Sequence, residues 1–201
     1  MNIDIETYKI SNDNYYIDEY EKRQIILAGS LRKDNYHIIR LQNREFGKTK
    51  TWNTFTISRD GLIYQHYDPK YYTDFMNDKT IDKYSISIVL ENMGPLIKNK
   101  YNLFVNTLNE TYASEIIPFK KLWNNLTYWE IYTEKQFEST LNLCKYLCNL
   151  FKINKNVINF NSFNQNTKEY YGIVSRSNYS NEYTDLNPSF NLIKFGELLN
   201  E

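Results

Sequence analysis

The stretch SISIVLENMGPL, residues 85–96, decides the fold class of this chain. Its first half alternates polar and apolar residues, its second half becomes continuously apolar, and Gly94 and Pro95 follow directly. A short β-branched run that ends at a Gly-Pro pair is typical of a buried strand. We therefore predict a central strand over residues 84–91, around which the other elements can be placed.

Further strands and helices alternate on both sides of this central strand. Asp60-Gly61 lies between two β-branched and aromatic runs, which predicts a hairpin. The strands that we predict are 23–31, 52–57, 62–67 and 171–174. The short helices that we predict are 35–43 and 192–199. Strands alternating with helices predict a mixed α/β fold.

A longer helix is predicted after Thr133. Thr133 and Gln136 have the spacing of a capping box, in which each side chain binds a main-chain N–H of the first turn. The apolar stripe behind this box consists of Phe137, Leu141, Cys144, Cys148 and Phe151. The two cysteines share one helix face at a spacing that rarely permits a disulfide, so we expect reduced core residues.

The chain is predicted to be one domain over residues 1–201, with a mixed central β-sheet flanked by helices. Residues 1–20 are interpreted as an N-terminal extension. Residues 98–130 are aromatic and irregular, and we interpret them as a surface insertion, with a short hairpin as an open alternative within it.

Charge and hydropathy exclude several classes of protein. The chain has 24 Lys and Arg against 24 Asp and Glu, so we expect no nucleic-acid partner. No apolar run approaches the length of a membrane span, so we expect no membrane insertion. The polar, acidic start lacks the apolar segment of a signal peptide, so we expect synthesis in the cytoplasm.

Several segments in a fixed order resemble the type 2 N-acetylmuramoyl-L-alanine amidases, a superfamily that includes peptidoglycan-recognition proteins and phage lysins. The resemblance spans roughly residues 15–195. It rests on the strand at 23–31, the Arg-Asp-Gly hairpin, SISIVLENMGPL (85–96), YWEIYTEKQ (128–136), GIVSRSNYS (172–180) and YTDLNPSF (183–190). It implies a mixed central sheet flanked by helices, with a groove for a muropeptide stem above a zinc ion.

The resemblance also implies a chemistry, which the residues at the matching positions do not support. Family enzymes hydrolyse the amide between the lactyl group of N-acetylmuramic acid and L-Ala, using zinc held by two His and one Asp or Cys. Those positions fall here on Ala28, Arg176 (or Ser175 after a shift of one residue) and Asp185. Only Asp185 offers a metal ligand, since an arginine has no lone pair to donate.

The supporting positions differ as well. Val89 stands where the family often has a catalytic Glu, and Tyr183 stands where it often has a Lys. Asn53 and Thr54 replace a Tyr and a His. The vestigial positions are Ala28, Asn53, Thr54, Val89, Arg176, Tyr183 and Asp185. We therefore expect no catalytic residue, no zinc, no other cofactor and a pseudoenzyme, with an ion pair between Arg176 and Asp185 at the former metal position.

The two histidines leave an alternative open. A zinc site rebuilt around His37 or His66 would need further donors beside them, and we expect each to be a partly exposed or hydrogen-bonded structural residue. A Cys–His nucleophile pair is a weaker alternative, because burial of Cys144 and Cys148 would raise the thiol pKa.

Three functions remain open at the level of sequence. The first is a module that binds peptidoglycan fragments without cutting them. The residues expected to line its groove, carried over from the family by position, are Trp52, Asn53, Thr54, Tyr72, Asn92 and Arg176. For Trp52 and Tyr72, ordinary packing in the protein interior is the alternative interpretation. The second is a structural or assembly component with a protein partner, for example in a bacteriophage virion. The third is an active amidase with a relocated metal.

Overall fold

The computed structural model describes residues 1–201 and contains ten β-strands and four α-helices. The strands are β1 Ile3–Asp4, β2 Gln24–Gly29, β3 Phe55–Ile57, β4 Ile63–Gln65, β5 Ser85–Leu90, β6 Pro95–Lys98, β7 Phe104–Asn106, β8 Phe119–Trp123, β9 Leu126–Trp129 and β10 Gly172–Ser175. The helices are α1 Tyr36–Asn43, α2 Lys79–Asp82, α3 Glu134–Phe151 and α4 Leu192–Leu199. None of these helices is long and apolar enough to cross a membrane.

Six strands form the main sheet, in the order β1-β4-β3-β5-β2-β10. Strands β3, β5, β2 and β10 run parallel, β4 is antiparallel to β3, and β1 adds a parallel strand at the edge. Every residue of β2 and β5 is buried, as expected for central strands covered on both faces. The predicted mixed sheet with flanking helices is confirmed.

The two faces of the main sheet have different roles. Ile25, Leu27, Ile86 and Ile88 point to one face, where they form the main core with α3 and α4. The alternate residues point to the other face, as the two-residue period of a strand requires. Ala28 and Val89 are register partners on that second face. The sheet therefore has a packed side and a side available for a site.

Helix α3 begins at the predicted capping box. The Thr133 hydroxyl accepts the N–H of Gln136, and the Gln136 side chain accepts the N–H of Thr133. The predicted apolar stripe is displaced in the structure: Phe137 is only partly buried, as are Leu141 and Phe151. The fully buried apolar residues of α3 are Leu143, Cys144, Leu147 and Cys148. Both cysteines are free and buried.

Residues 95–129 form a second, four-stranded antiparallel sheet in the order β7-β6-β9-β8. The prediction of an irregular insertion over 98–130 therefore underestimated its order. Asn124 and Asn125 both adopt positive φ, which is the geometry of a tight hairpin turn between β8 and β9. Leu96 and Trp129 anchor this sheet, being almost completely buried.

The N-terminal segment is more than an extension of the domain. Strand β1 pairs with β4, and Tyr16 forms an antiparallel bridge with Tyr72. The main-chain oxygen of Tyr8 contacts the buried side chain of His66 at 2.9 Å. Residues 1–20 thus complete one edge of the main sheet.

Candidate functional site

A cleft of about 710 Å³ opens at the carboxyl ends of β2, β5 and β10. Gly29 and Val89 lie at its base, and Arg176 enters it directly after β10. The carboxyl ends of parallel strands are the usual place for a ligand site in α/β sheets. The sequence-predicted positions Tyr183 and Asp185 also line this cleft.

An ion pair occupies the base of the cleft. Arg176 Nη1 lies 3.3 Å from Asp185 Oδ2, and the Asp185 side chain is only 3% exposed. The guanidinium also lies 4.1 Å from the ring centre of Tyr183 and 5.2 Å from that of Phe75. The ion pair predicted between Arg176 and Asp185 is present.

The ion pair leaves two polar atoms without partners. Arg176 Nε and Asp185 Oδ1 are buried and form no hydrogen bond. Burial raises the pKa of the Asp185 carboxyl above its usual value, and the Arg176 guanidinium opposes part of that shift. Asp185 Oδ1 therefore remains an acceptor without a donor at the base of the cleft.

A polar network joins the two histidines of the chain. His37 Nε2 lies 2.9 Å from Asn53 Oδ1, and the Asn53 amide donates to Thr56 Oγ1 at 2.9 Å. Thr56 Oγ1 lies 2.8 Å from His66 Nε2, and His66 Nδ1 reaches the carbonyl oxygen of Tyr8. Because a carbonyl only accepts, Nδ1 of His66 carries its proton and Nε2 accepts from the threonine. Both histidines are thus hydrogen-bonded, which was one of the two states expected from the sequence.

Burial controls the protonation of both histidines. It lowers the pKa of His37 to about 4 and that of His66 to about 4, although hydrogen bonds to Asn53 and to the Tyr8 carbonyl act in the opposite direction. Both imidazoles are therefore neutral at neutral pH. Only His37 lines the cleft.

A family model described as N-acetylmuramoyl-L-alanine amidase matches residues 13–177. The chain belongs to that family. No curated protein matches the sequence of this amidase-family chain.

Several solved structures share the fold of this chain. The amidase LysC from Clostridium intestinale URNW is 13% identical, with 100% of this chain and 98% of that chain covered and a TM-score of 0.56. The catalytic domain of XlyA is 14% identical, with 99% of each chain covered and a TM-score of 0.57. The ectodomain complex of the peptidoglycan recognition proteins LCa and LCx, bound to tracheal cytotoxin, is 11% identical, with 96% and 94% covered and a TM-score of 0.56.

The family implies a zinc ion, and the side chains at the cleft base of this amidase-family chain do not fit one. Asp185 is the sole donor among the matched positions, because Ala28 and Val89 have hydrocarbon side chains and Arg176 is a cation. No group of three or more His, Cys, Asp and Glu side chains that could hold a metal ion is formed anywhere in the chain. A zinc site needs at least three such ligands.

Five of the six predicted groove residues are not brought to the cleft wall. Trp52, Asn53, Thr54, Tyr72 and Asn92 are almost completely buried, and none of them lines the cleft. Arg176 is the exception. In this structure the other five side chains face the interior, so only Arg176 among the predicted groove residues is placed to contact a molecule in the cleft.

Each of these side chains has partners inside the protein. Tyr72 stacks on Tyr16 with ring centres 4.8 Å apart. Asn92 Oδ1 accepts hydrogen bonds from the Gly94 N–H and from the Asn187 amide, each at 2.8 Å. Thr54 Oγ1 lies 2.9 Å from the Tyr67 hydroxyl. Trp52 packs beside His66, with ring centres 5.2 Å apart. Long-range packing, which the sequence does not reveal, uses these groups internally.

Three arginines that the sequence analysis did not select line one wall of the cleft. They are Arg32, Arg40 and Arg44, carried by helix α1 and the segments that flank it. Arg32 lies 3.7 Å from Glu110 and Arg44 lies 3.7 Å from Glu45, whereas Arg40 makes no ion pair. Only Arg40 lies within α1; Arg44 follows the last residue of the helix in an extended conformation, so helical spacing did not group these arginines.

Proposed function

We propose that this chain binds peptidoglycan fragments in the cleft and does not hydrolyse them. The observation that carries the proposal is the Arg176–Asp185 ion pair at the base of an open cleft in an amidase fold. The pair replaces metal ligands with a cation and leaves a carboxylate oxygen for a ligand donor. The proposal includes the absence of a catalytic zinc, which makes the chain a pseudoenzyme.

The charge of the cleft wall suits the stem peptide of peptidoglycan. Stem peptides carry carboxylates, and a guanidinium binds a carboxylate through two parallel N–H groups. Arg40 is exposed and unpaired on this wall, so it can bind a ligand without first breaking an ion pair. The tracheal cytotoxin bound to the LCa–LCx complex is consistent with fragment binding on this fold.

Retention on insoluble cell wall tests the binding proposal. We expect the wild-type chain to be retained, and Arg40→Ala to weaken retention about tenfold through loss of a charged contact. Lys135→Ala is the matched control, because it removes one positive charge from an exposed residue of α3 outside the cleft. Equal retention of both variants, or no retention of the wild type, would contradict the proposal.

Metal analysis and dye release from labelled cell wall test the absence of hydrolysis. We expect no stoichiometric zinc in the purified chain and no dye release after zinc is added. Zinc at one equivalent together with dye release would instead support an active amidase with a relocated metal.

A structural or assembly role is the second candidate. The second sheet and its loops expose large apolar side chains, which are common at protein interfaces. The most exposed are Tyr101, Leu103, Ile116, Ile117 and Leu122. Absence of the wild-type chain from cell wall pellets, together with its recovery in purified phage particles, would favour this candidate over peptidoglycan binding.

A further inference from the structure

A second groove, separate from the cleft, lies beside strand β8 of the second sheet. Its volume is about 600 Å³, and it is bounded by β8, by the loop 159–162 and by residues 188–193. That volume is in the range of small-molecule sites in proteins. The groove shares no residue with the cleft, although Pro188, Ser189 and Phe190 belong to the segment 183–190 on which the family resemblance partly rests.

Aromatic side chains form the walls of the second groove. Phe119 and Trp123 are the first and last residues of β8, and both line the groove. Phe160 contributes a third ring from the loop 159–162 and is 45% exposed. Aromatic faces that remain accessible to solvent can stack on the apolar face of a ring in a ligand.

Amide groups supply the polar part of the groove. Asn159 and Asn191 line it and are exposed. The Asn161 side chain donates to the main-chain oxygen of Leu186 at 2.8 Å, while Asn161 Oδ1 is buried and has no hydrogen-bond partner. A buried acceptor without a donor is unfavourable, so a ligand N–H or O–H at this atom would be stabilising.

The charge of the groove narrows the class of ligand. Lys121 is the only charged residue among those that line it, and no carboxylate is present. A cation would find no counter-charge there. A ligand that is neutral, that has an apolar face and that carries N–H and O–H donors matches these walls best.

We propose that the second groove binds the N-acetylated amino sugars of a glycan strand. The apolar face of a sugar ring stacks on Trp123 or Phe160, the acetamide N–H donates to Asn161 Oδ1, and the exposed asparagines bind hydroxyl groups. This inference rests on the proposed function only in its choice of polymer, since the glycan strand carries the stem peptides. Residues 183–185 line the cleft and 188–193 line the groove, so one segment borders both sites.

Calorimetric titration with the hexamer of N-acetylglucosamine, which carries no peptide, tests the groove directly. We expect wild-type binding that Phe160→Ala and Trp123→Ala each weaken about tenfold through loss of a stacking surface. Leu122→Ala is the matched control, since Leu122 is a neighbour on β8, is 72% exposed and does not line the groove. Asn161→Ala provides a third variant if Trp123→Ala unfolds.

The possible outcomes distinguish the proposal of glycan binding in the groove from the proposal of fragment binding in the cleft. Absence of hexamer binding by the wild type, or equal affinities for the wild type, Phe160→Ala and Asn161→Ala, would overturn the groove proposal. Arg40→Ala should bind the hexamer as the wild type does. Hexamer binding that depends on Phe160, together with cell wall retention that is indifferent to Arg40, would support the groove while the cleft proposal fails.

Discussion

At the scale of single residues, the base of the cleft depends on one arginine. Arg176 pairs with a buried carboxylate and stacks between the rings of Phe75 and Tyr183. An ionised carboxylate in a low-dielectric interior is unfavourable unless a cation or hydrogen bonds compensate it. The guanidinium therefore stabilises the ionised form of the buried Asp185 side chain.

Truncation of this arginine should destabilise the fold. We expect Arg176→Ala to lower the free energy of unfolding by about 3 kcal/mol at neutral pH, because Asp185 is left without its counter-ion. The loss should be smaller at acidic pH, where the carboxyl becomes protonated. Denaturant unfolding measures both values. Arg44→Ala removes an exposed ion pair with Glu45 and should cost less than about 1 kcal/mol.

The double variant distinguishes a charge effect from lost packing. Adding Asp185→Asn to Arg176→Ala removes the uncompensated charge and should restore part of the lost stability. A double variant that is no more stable than Arg176→Ala would attribute the effect to the aromatic stacking instead.

Single residues of this chain differ in how well the sequence predicts their environment. The ion pair was predictable, because two positions expected to share a metal must lie close together. The burial of Trp52 and Tyr72 was not predictable, because it depends on tyrosines from the N-terminal segment that pack over them. Local sequence cannot show which distant ring covers an aromatic residue.

At the scale of elements, the end of β2 is a point of close main-chain approach. A Cβ atom added at Gly29 would overlap the main-chain oxygen of Asp185. The Tyr132 hydroxyl donates to the same oxygen at 3.0 Å. The absence of a side chain at position 29 thus allows the segment that carries Asp185 to close the base of the cleft.

A substitution at Gly29 tests this contact, and one at Gly196 serves as a comparison with the opposite expected effect on stability. We expect Gly29→Ala to lower the free energy of unfolding by about 2 kcal/mol, because the main chain around Asp185 must move. Gly196→Ala should raise it by about 0.5–1 kcal/mol, because the residue lies inside α4 and its added Cβ meets Val157 at an ordinary 3.6 Å. A Gly29→Ala variant as stable as the wild type would show that the segment is not held there.

The elements that sequence predicted best have strong local signals. The capping box fixes the start of α3, and Asp60-Gly61 fixes the turn between β3 and β4. The second sheet was missed because its strands have only three to five residues, and only five of these sixteen residues are buried. The Asn124-Asn125 pair between β8 and β9 was an available hairpin signal.

At the scale of the whole molecule, the histidines and the acids whose pKa values are shifted by burial have opposite effects on how stability changes with pH. Burial lowers the pKa of His37 and His66 to about 4, so both resist protonation in the folded state. Burial raises the pKa of Asp82 and Glu91 to about 7, so both resist ionisation there. Between about pH 4 and 6.5 the two histidines favour folding as pH rises, whereas the two acids oppose it. Their contributions partly cancel.

Substituting one of the two acids should therefore change the pH dependence of the unfolding free energy. Glu91 is 5% exposed, and a hydrogen bond from the Arg59 N–H only partly opposes the effect of burial on its pKa. Between pH 4.5 and 7 the folded carboxyl keeps a proton that the unfolded chain releases, so the wild type loses stability as pH rises. Glu91→Gln does not titrate, so its unfolding free energy relative to wild type should rise by about 3 kcal/mol from pH 4 to 8.

The same measurement on a histidine variant should give the opposite slope. Relative to wild type, His66→Gln should become more stable as pH falls from 6.5 to 4, since the wild-type imidazole must stay neutral in the folded state while it gains a proton in the unfolded chain. Denaturant unfolding at several pH values gives both difference curves. A flat difference curve for either variant would contradict the prediction and would mean that the substituted group is hydrated in the folded state.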